Sequence, residues 1–363
     1  MEADYKDFKE IDSNSQKCPG CGSNLEFDPS TQNLVCSHCG YTKEIFKQNT
    51  TEKDFSQLYN DTKSTWSNEI ITVKCENCGA IETTKKTSIS RNCSFCGSPN
   101  LVEQKNFEGR KPDSVQPFKV VQKDALDKAV TWAKKSYWSP GSFKRAISTY
   151  NVSGIYYPVF TFDTNAVTYY AGVLGKTEYY RDSKGNTHSR IRYFNIAGQY
   201  KSFHDDVTVQ ASNFIAQKYI SKLLPFDTNH SLEYKDEFLY NFNATQYTKD
   251  GLVCWKEADT VIQSTIKSAI LRKYSYDTIR SYNQKSHYSN QTFKYVLIPL
   301  WVGNYTYKEK LYNYFINGVS AKITGHRPVS AVKVLVHILV IIAVIVGIVL
   351  ALYYSGVFSN VSD

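Results

Sequence analysis

The chain has 363 residues, which at roughly 150 residues per domain predicts two or three domains. Hydrophobic residues make up 42% of it and charged residues 21%, values that exclude collagen-like, coiled-coil and wholly disordered proteins. The net charge of +9 is unevenly distributed, since residues 1–100 hold 11 basic and 14 acidic side chains. The basic excess therefore lies downstream and does not indicate a nucleic-acid-binding module at the N-terminus.

The first fifteen residues form an acidic tail, 1–15, in which acids alternate with lysines and aromatics. This tail has no apolar stretch of the kind that a secretory signal peptide carries. We therefore expect the N-terminal side of the chain to stay in the cytosol.

Eight of the nine cysteines fall into four CxxC pairs, each with a glycine directly after its second cysteine. Fourteen residues separate the first pair from the second, and the same spacing separates the third from the fourth. Four thiolates in two such turns form a closed tetrahedral site, which suits Zn2+ and leaves no position for a substrate. The predicted ligands of two structural zinc ions are Cys18, Cys21, Cys36, Cys39 and Cys75, Cys78, Cys93, Cys96.

The residues around these pairs are typical of zinc ribbons, which we predict at 16–42 and 70–100. In the first, Leu25–Asp28 alternates like a strand and Pro29–Asn33 has the composition of a turn. About 30 residues bury too little apolar surface to fold alone, so metal binding and folding should be one event. Disulfide pairing and an iron–sulfur or redox role are the alternatives, the first disfavoured by a reducing cytosol. We interpret His38 as an exposed spacer rather than a ligand.

The surfaces of the two ribbons favour protein partners over nucleic acid. Between Lys17 and Lys43 the first ribbon carries only acidic charges, and the basic residues of the second are partly offset by acids. Neither pattern is a phosphate-binding patch. Nucleic-acid binding by the ribbons remains the alternative.

Two segments, 43–69 and 101–116, are interpreted as linkers. The first is rich in Thr, Asn, Ser, Lys and Asp, which predicts a loosely ordered connector or a short polar helix. The second contains Pro112 and leads to Pro117, where the main domain begins.

Residues 117–328 are predicted to form a duplicated α+β domain, each copy an amphipathic helix followed by antiparallel strands. Each copy places proline at a similar offset in an apolar, Tyr-rich strand, at Pro158 and Pro299. Proline cannot donate to a strand ladder, so we expect these two at edges or bulges, in equivalent places of two related sheets. Coincidence between two Tyr-rich strands is the alternative. The apolar helix faces are predicted at Leu126, Ala129, Val130, Ala133 and at Val261, Ile262, Ile266, Ala269, Ile270.

Between the copies, Thr187–Val209 is predicted as further strand, and Ala211–Leu224 as a helix that ends before Pro225. No established catalytic motif occurs in the chain, and we expect it not to be an enzyme. Cys254 is interpreted as a small core residue. The groups at 204–206 and His230 are interpreted as solvated surface.

Residues 333–354 are predicted to form one transmembrane helix, because the 21 residues from Val334 to Tyr354 carry no formal charge. A buried core helix is the alternative. Basic residues precede the span and none follows in the short tail 355–363, so the positive-inside rule keeps the N-terminal bulk cytoplasmic. The recurring small residues Ala343, Gly347 and Ala351 could pack against another helix, although lipid-facing sequence is the simpler interpretation.

The sequence resembles a family of membrane-anchored bacterial zinc-ribbon proteins, catalogued as transcription-factor-IIB-type or primosomal-helicase-like. The resemblance rests on the two ribbons, the final apolar segment and the ordered blocks Val115–Lys119, Gly154–Phe160, Leu224–Asp227, Leu297–Trp301 and Asn317–Gly318. It implies a membrane-anchored protein, with membrane-stress response as a suggested context. Together these features predict a non-enzymatic, tail-anchored adaptor that binds protein partners at the cytoplasmic membrane face. Membrane-tethered nucleic-acid binding is the alternative.

Overall fold

The computed structural model describes residues 17–59, 70–85, 92–104, 110–149 and 152–354. The predicted tails 1–15 and 355–363, the end of the first predicted linker (60–69) and the middle of the second (105–109) lie outside the described residues. The architecture is mixed α+β, with both tetra-cysteine groups near the N-terminus and an apolar helix at the C-terminal end, as predicted.

The first ribbon is a small three-stranded antiparallel sheet of β1 (Glu26–Asp28), β2 (Asn33–Val35) and β3 (Thr42–Lys43). The turn between β1 and β2 is stabilised by the Asp28 carboxylate, which accepts hydrogen bonds from the backbone and hydroxyl of Ser30. Phe27 and Leu34 are paired across the strands and both are buried. The ribbon thus presents one apolar face to the rest of the protein.

Part of the predicted linker 43–69 is ordered structure. Lys53 and Asp54 form β4, and a short 3-10 helix follows at Phe55–Leu58. Leu58 is buried against the main domain, where it occupies the space beside Gly251. The described part of this segment therefore packs against the main domain rather than being loosely ordered, because the domain covers its apolar residues at 55 and 58.

The second ribbon contributes β5 (Ile70–Cys75), β6 (Ile81–Lys85) and β7 (Leu101–Gln104). Residues 101–104, predicted as linker, pair with β5, and β8 (Ser114–Val115) enters the central sheet. The second ribbon is continuous with that sheet, which has twelve strands. Its path runs β11 (Leu232–Glu233), β8, β13 (Thr278–Tyr307), β9 (Val152–Arg181), β12 (Asn243–Thr245), β6, β5 and β7.

The main domain begins with a helical hairpin, α1 (Gln122–Lys134) and α2 (Gly141–Thr149). Two long strands follow, β9 (Val152–Arg181) and β10 (Thr187–Gln210), and the second confirms the strand predicted at Thr187–Val209. In α1 the buried face contains Trp132 in addition to the predicted Ala129 and Ala133.

The region after β10 is less helical than predicted. The helix α3 spans only Gln217–Leu223, so residues 211–216 of the predicted helix are irregular. They run along the end of β9, where the backbone N–H of Ala211 donates to the carbonyl of Pro158. The short strands β11 (Leu232–Glu233) and β12 (Asn243–Thr245) follow.

The second long helix, α4 (Gly251–Leu271), covers one face of the long strands. Its buried residues recur every four positions, which aligns them along one side of the helix. Val261, predicted on this face, is 51% exposed and lies off the stripe. The buried stripe is Cys254, Ala258, Ile262, Ile266 and Ile270.

The strand β13 (Thr278–Tyr307) pairs antiparallel with β9 along almost its whole length, so the two proline-containing strands share one sheet. The expectation of two separate sheets is wrong. Pro158 lies between the part of β9 that pairs with β10 and the part that pairs with β12. Pro299 lies between the part of β13 that pairs with β8 and the part that pairs with β14. The carbonyls of Pro158 and Pro299 accept hydrogen bonds from the N–H groups of Ala211 and Gly318, on the side of each strand that faces away from the other. Because the N–H and C=O of a strand residue point to the same side, the missing N–H of each proline also faces that side. Each proline thus occupies a gap in the ladder, at equivalent positions of the two strands.

The chain closes with β14 (Lys310–Asn317), β15 (Ile323–Gly325) and α5 (Ala331–Tyr354). Within the described part of the chain, α5 is the one helix long and apolar enough to cross a membrane, over the 22 residues Ala331–Leu352. None of that window is buried against protein, so the alternative of a buried core helix is not what the structure shows. No protein atom lies within 4 Å of a Cβ added at Gly347.

Candidate metal centres and a buried carboxylate cluster

Each predicted cysteine quartet converges on one point. The four sulfurs of Cys18, Cys21, Cys36 and Cys39 lie within 4.8 Å of one another, and Sγ of Cys18 lies 3.5 Å from that of Cys39. The two CxxC turns have the same form, since the N–H of Gly22 donates to Cys18 and that of Gly40 to Cys36. Both glycines have positive φ, 75° and 76°, which a residue with a Cβ adopts only with strain.

The second quartet repeats this geometry. Sγ of Cys75 lies 3.5 Å from that of Cys96, and Sγ of Cys78 lies 3.6 Å from that of Cys93. All four again lie within 4.8 Å of one another. Gly79 and Gly97 have positive φ like the glycines of the first quartet.

Both quartets fit a metal ion held by four thiolates. Metal–sulfur bonds of roughly 2.3 Å in a tetrahedron place the sulfurs about 3.8 Å apart, close to the separations observed. A disulfide would require about 2.05 Å, and all nine cysteines are free. The disulfide alternative therefore does not describe this structure.

The quartets differ in burial. In the first, Cys18 and Cys36 are buried while Cys21 and Cys39 are exposed, whereas in the second every cysteine is buried or half-buried. Hydrogen bonds from the side chain and backbone of Ser23 lower the pKa of Cys21 to about 6. A hydrogen bond with Cys78, together with burial, raises the pKa of Cys93 in the metal-free chain. A bound dication reverses that trend, because coordination deprotonates the thiol.

The first ribbon docks on the main domain through Phe27. Its ring makes edge-to-face contacts with Phe238 and Phe242 at centroid distances of 5.4 and 6.2 Å, and its N–H donates to the carbonyl of Tyr240. The side-chain amide of Gln32 donates to the carbonyl of Phe118. The apolar alternation that predicts β1 therefore also makes the docking face.

The second ribbon is held by a buried carboxylate that the sequence analysis did not single out. Glu82 on β6 is 1% exposed, and its oxygens accept hydrogen bonds from the backbone and hydroxyl of Ser94 and from the side chain of Asn243. Ser94 directly follows the ligand Cys93. Glu82 thus ties the metal-binding turn to β12 of the main sheet.

A cluster of half-buried carboxylates lies where the β10 and β13 ladders are interrupted by bulges. Carboxylate oxygens of Glu52, Asp163 and Asp206 lie within 4.8 Å of one another. The ammonium of Lys294, whose side chain is 3% exposed, lies 2.8 Å from Glu52 and 3.4 Å from Asp206. Asp206 was interpreted as solvated surface, and the structure corrects this, because the bulge turns its side chain inward onto Thr228.

One carboxyl group of this cluster, that of Asp163, changes its charge near neutral pH. Burial, followed by a hydrogen bond and the charge of Glu52, raises the pKa of Asp163 to about 7. The pKa of Glu52 is lowered: burial opposes this shift, but hydrogen bonds from Asp163 and Lys294 outweigh it. Lys294 supplies the cation that balances these carboxylates. The cluster is therefore an ion network that links the segment before β4 to the central sheet.

The other candidate reactive groups are separated. Cys254 is fully buried, and burial raises its pKa to about 12, which makes it a poor nucleophile. His204 contacts the hydroxyl of Ser202, and His230 contacts Asp227 on the surface. Among the described residues, these groups do not converge on a nucleophile and base pair.

Comparison with known proteins identifies one similar chain and no named family. No family model matches the sequence, and no solved structure matches it. The chain is 26% identical over 321 residues to an uncharacterized protein, YdjG, of Bacillus subtilis (strain 168), covering 88% of this chain and 92% of that one. The similarity therefore covers most of both chains.

Proposed function

We propose that the protein is a non-enzymatic, tail-anchored membrane adaptor. It holds two structural Zn2+ ions in its cysteine quartets, and the ribbons and α+β domain bind protein partners at the cytoplasmic face. The resemblance to membrane-anchored zinc-ribbon proteins suggests membrane-stress response as the context of this role. Zinc is the metal proposed because four thiolates in a closed tetrahedral set suit it and leave no position for a substrate.

The observation that carries this proposal is the rigid connection between the ribbons and the base of α5. The first ribbon docks through Phe27, the second is part of the central sheet, and that sheet leads through β14 and β15 into α5. Such a body presents two metal-stabilised surfaces at a defined place near a bilayer. The proposed orientation rests on Lys322, Arg327 and Lys333, which precede the charge-free stretch that begins at residue 334.

The exposed surface of the first ribbon is the proposed partner site. Tyr41 is 39% exposed beside the exposed ligand Cys39, and His38 is also exposed. An aromatic ring on a rigid, weakly charged surface is typical of protein interfaces. The described surface of this ribbon carries Glu26 and Asp28 in addition to Lys17 and Lys43, which does not favour phosphate.

The experiment compares the full chain with His38→Glu/Tyr41→Glu, purified from membranes of the source cell after crosslinking. Both should resist carbonate extraction and contain two zinc atoms per chain. The variant should lose the protein partners that the wild type captures, whereas Tyr179→Ala on the distant strand β9 should keep them. Equal capture by all three, or a wild-type chain that carbonate removes from the membrane, would contradict the proposal.

Nucleic-acid binding is a second candidate, favoured by the far end of the long strands. There Tyr179, Tyr180 and Tyr193 are 75%, 50% and 45% exposed, and Arg190 and Arg280 lie over the rings of Tyr180 and Tyr193. Exposed rings among arginines are typical of single-strand binding. Binding of a labelled single-stranded DNA that weakens steeply with salt and is lost in Arg190→Ala/Arg280→Ala would favour this function.

A further inference from the structure

The loop between α1 and α2, Lys135–Pro140, lies against the first turns of α5. The ring of Trp138 is 5.0 Å from that of His337, and the ring of Tyr137 is 6.4 Å from it, both in edge-on contacts. His337 is the one strongly polar side chain of the charge-free stretch. The loop therefore extends past the start of the apolar helix rather than stopping at it.

The contact with His337 indicates how far along the axis of α5 the rings of Tyr137 and Trp138 lie. His337 follows Ala331 by six residues, which at about 1.5 Å per residue places it about 9 Å along the helix axis. The candidate span of 22 residues is about as long as a bilayer's hydrocarbon core is thick. Rings that touch His337 thus lie beside the apolar part of the helix, below the level of Lys333.

The backbone of the loop has the hydrogen bonds that a low-dielectric position requires. The ammonium of Lys333 donates to the carbonyls of Tyr137 and Ser139, each at 2.8 Å. The backbone N–H of Ser330 donates to the carbonyl of Trp138, also at 2.8 Å. Three consecutive carbonyls are therefore satisfied by the base of α5, and a backbone carbonyl left unsatisfied in lipid would be strongly unfavourable.

The same two aromatic side chains are exposed outside these contacts. Tyr137 is 64% exposed and Trp138 is 38% exposed, although the neighbouring Trp132 is buried under the guanidinium of Arg327. Tyrosine and tryptophan prefer the layer between hydrocarbon and headgroups, where the ring meets acyl chains and the polar edge meets water. Lysine and arginine beside them suit the phosphates of that layer.

We propose that the α1–α2 loop is a second membrane-contacting element, which inserts Tyr137 and Trp138 into the phospholipid interface of the bilayer that α5 spans. This inference rests on the proposed membrane anchoring. Lys333 holds the loop to the helix and lies at headgroup level. Two contacts on one leaflet fix the tilt of the domain, and therefore the height at which the ribbons stand above the membrane.

The test is depth-dependent quenching of tryptophan emission in the full chain, reconstituted in vesicles of phosphatidylcholine and phosphatidylglycerol with bromine near the top of one acyl chain. Trp138→Phe keeps the ring packing on His337 and should remove most of the bromine-dependent quenching. Trp255→Phe, whose ring packs against Phe55 and Phe162 in the main domain, should leave that quenching unchanged.

The outcomes separate this inference from the anchoring on which it depends. Protein that floats with the vesicles but is quenched equally in the wild type and Trp138→Phe would overturn the loop insertion and leave the span intact. Protein that does not float with vesicles would overturn both. Quenching that disappears with Trp138 alone, and that is weaker with bromine placed deep in the acyl chain, is the result expected.

Discussion

The side-chain amide of Asn243 donates a 2.7 Å hydrogen bond to the carboxylate of Glu82, across a sequence separation of 161 residues. Both side chains are buried, and Glu82 also accepts from the residue that follows the ligand Cys93. The pairing of β6 with β12 runs beside this bond. The second cysteine quartet is therefore supported by the main sheet and not only by its own short strands.

Replacing Glu82 with alanine should lower the free energy of unfolding by about 2 to 3 kcal/mol, because buried donors on Ser94 and Asn243 lose their acceptor. Glu103→Ala is the matched control, since Glu103 lies exposed on β7 of the same sheet. Thermal unfolding in detergent, followed by circular dichroism, measures the difference. Equal melting temperatures for the two variants would show that the Glu82 network contributes nothing to stability.

The two proposed zinc ions should leave at different rates. The first quartet has two exposed ligands, Cys21 and Cys39, whereas the second has none, so a chelator reaches the first ion sooner. Release into a colorimetric zinc indicator should have two phases of similar amplitude. Cys39→Ser should remove the fast phase and one zinc atom per chain, and Cys254→Ala should retain both phases. A single phase in the wild type, or a fast phase that survives Cys39→Ser, would contradict this ordering.

Asp163→Asn should stabilise the protein more at pH 8 than at pH 5. The pKa of Asp163 is raised to about 7 in the folded chain, so the stability it contributes is complete below its unfolded pKa of about 4 and is lost as the pH rises from 4 to 7. Asparagine can accept the hydrogen bond from Asp206 N–H and donate to Glu52 without ionising.

The size of this effect should be about 1 kcal/mol, or about 2 °C in melting temperature, since Asp163 is half-exposed and solvent screens the repulsion. Melting curves at pH 5 and pH 8 measure it. Asp205→Asn, at an exposed neighbouring residue, should change neither curve. Destabilisation by Asp163→Asn at pH 8 would mean that the charged form is the one the cluster requires.

Gly303→Ala should destabilise the sheet. Gly303 is paired directly with Tyr314 across β13 and β14, and a Cβ there would lie 1.9 Å from the buried tyrosine ring. Moving that ring strains a packed core, at about 1 to 3 kcal/mol. In Gly141→Ala the new Cβ meets nothing closer than 3.8 Å, so unfolding in denaturant should separate the two variants. A Gly303→Ala midpoint equal to that of Gly141→Ala would rule out the predicted clash.

Local patterns were sufficient for the features that depend on neighbouring residues. The CxxC spacing predicts the two quartets, because a turn of four residues brings the two sulfurs of each pair close together. The alternation at Leu25–Asp28 predicts β1, and the long strand after the turn at 183–186 follows from its composition. The charge-free stretch predicts α5 because length and apolarity alone make a helix capable of spanning a bilayer.

The tertiary structure decided the features that depend on distant partners. Pro158 and Pro299 were predicted in two sheets, but their strands are neighbours in one. Asp206 has the local sequence of a surface residue and is half-buried because a bulge turns it towards Lys294. Whether Val261 or Cys254 faces the core depends on the angle at which α4 crosses the strands.

The two cysteine quartets and the apolar helix can be predicted from the sequence alone, because each is encoded by residues close together in the chain. Three features follow only from the folded arrangement: the ribbons are part of the main body, Glu82 contacts Asn243, and the α1–α2 loop packs on the base of α5. These contacts join residues more than a hundred positions apart. Their formation depends on how strands and helices fit together, which no short-range pattern of residues encodes.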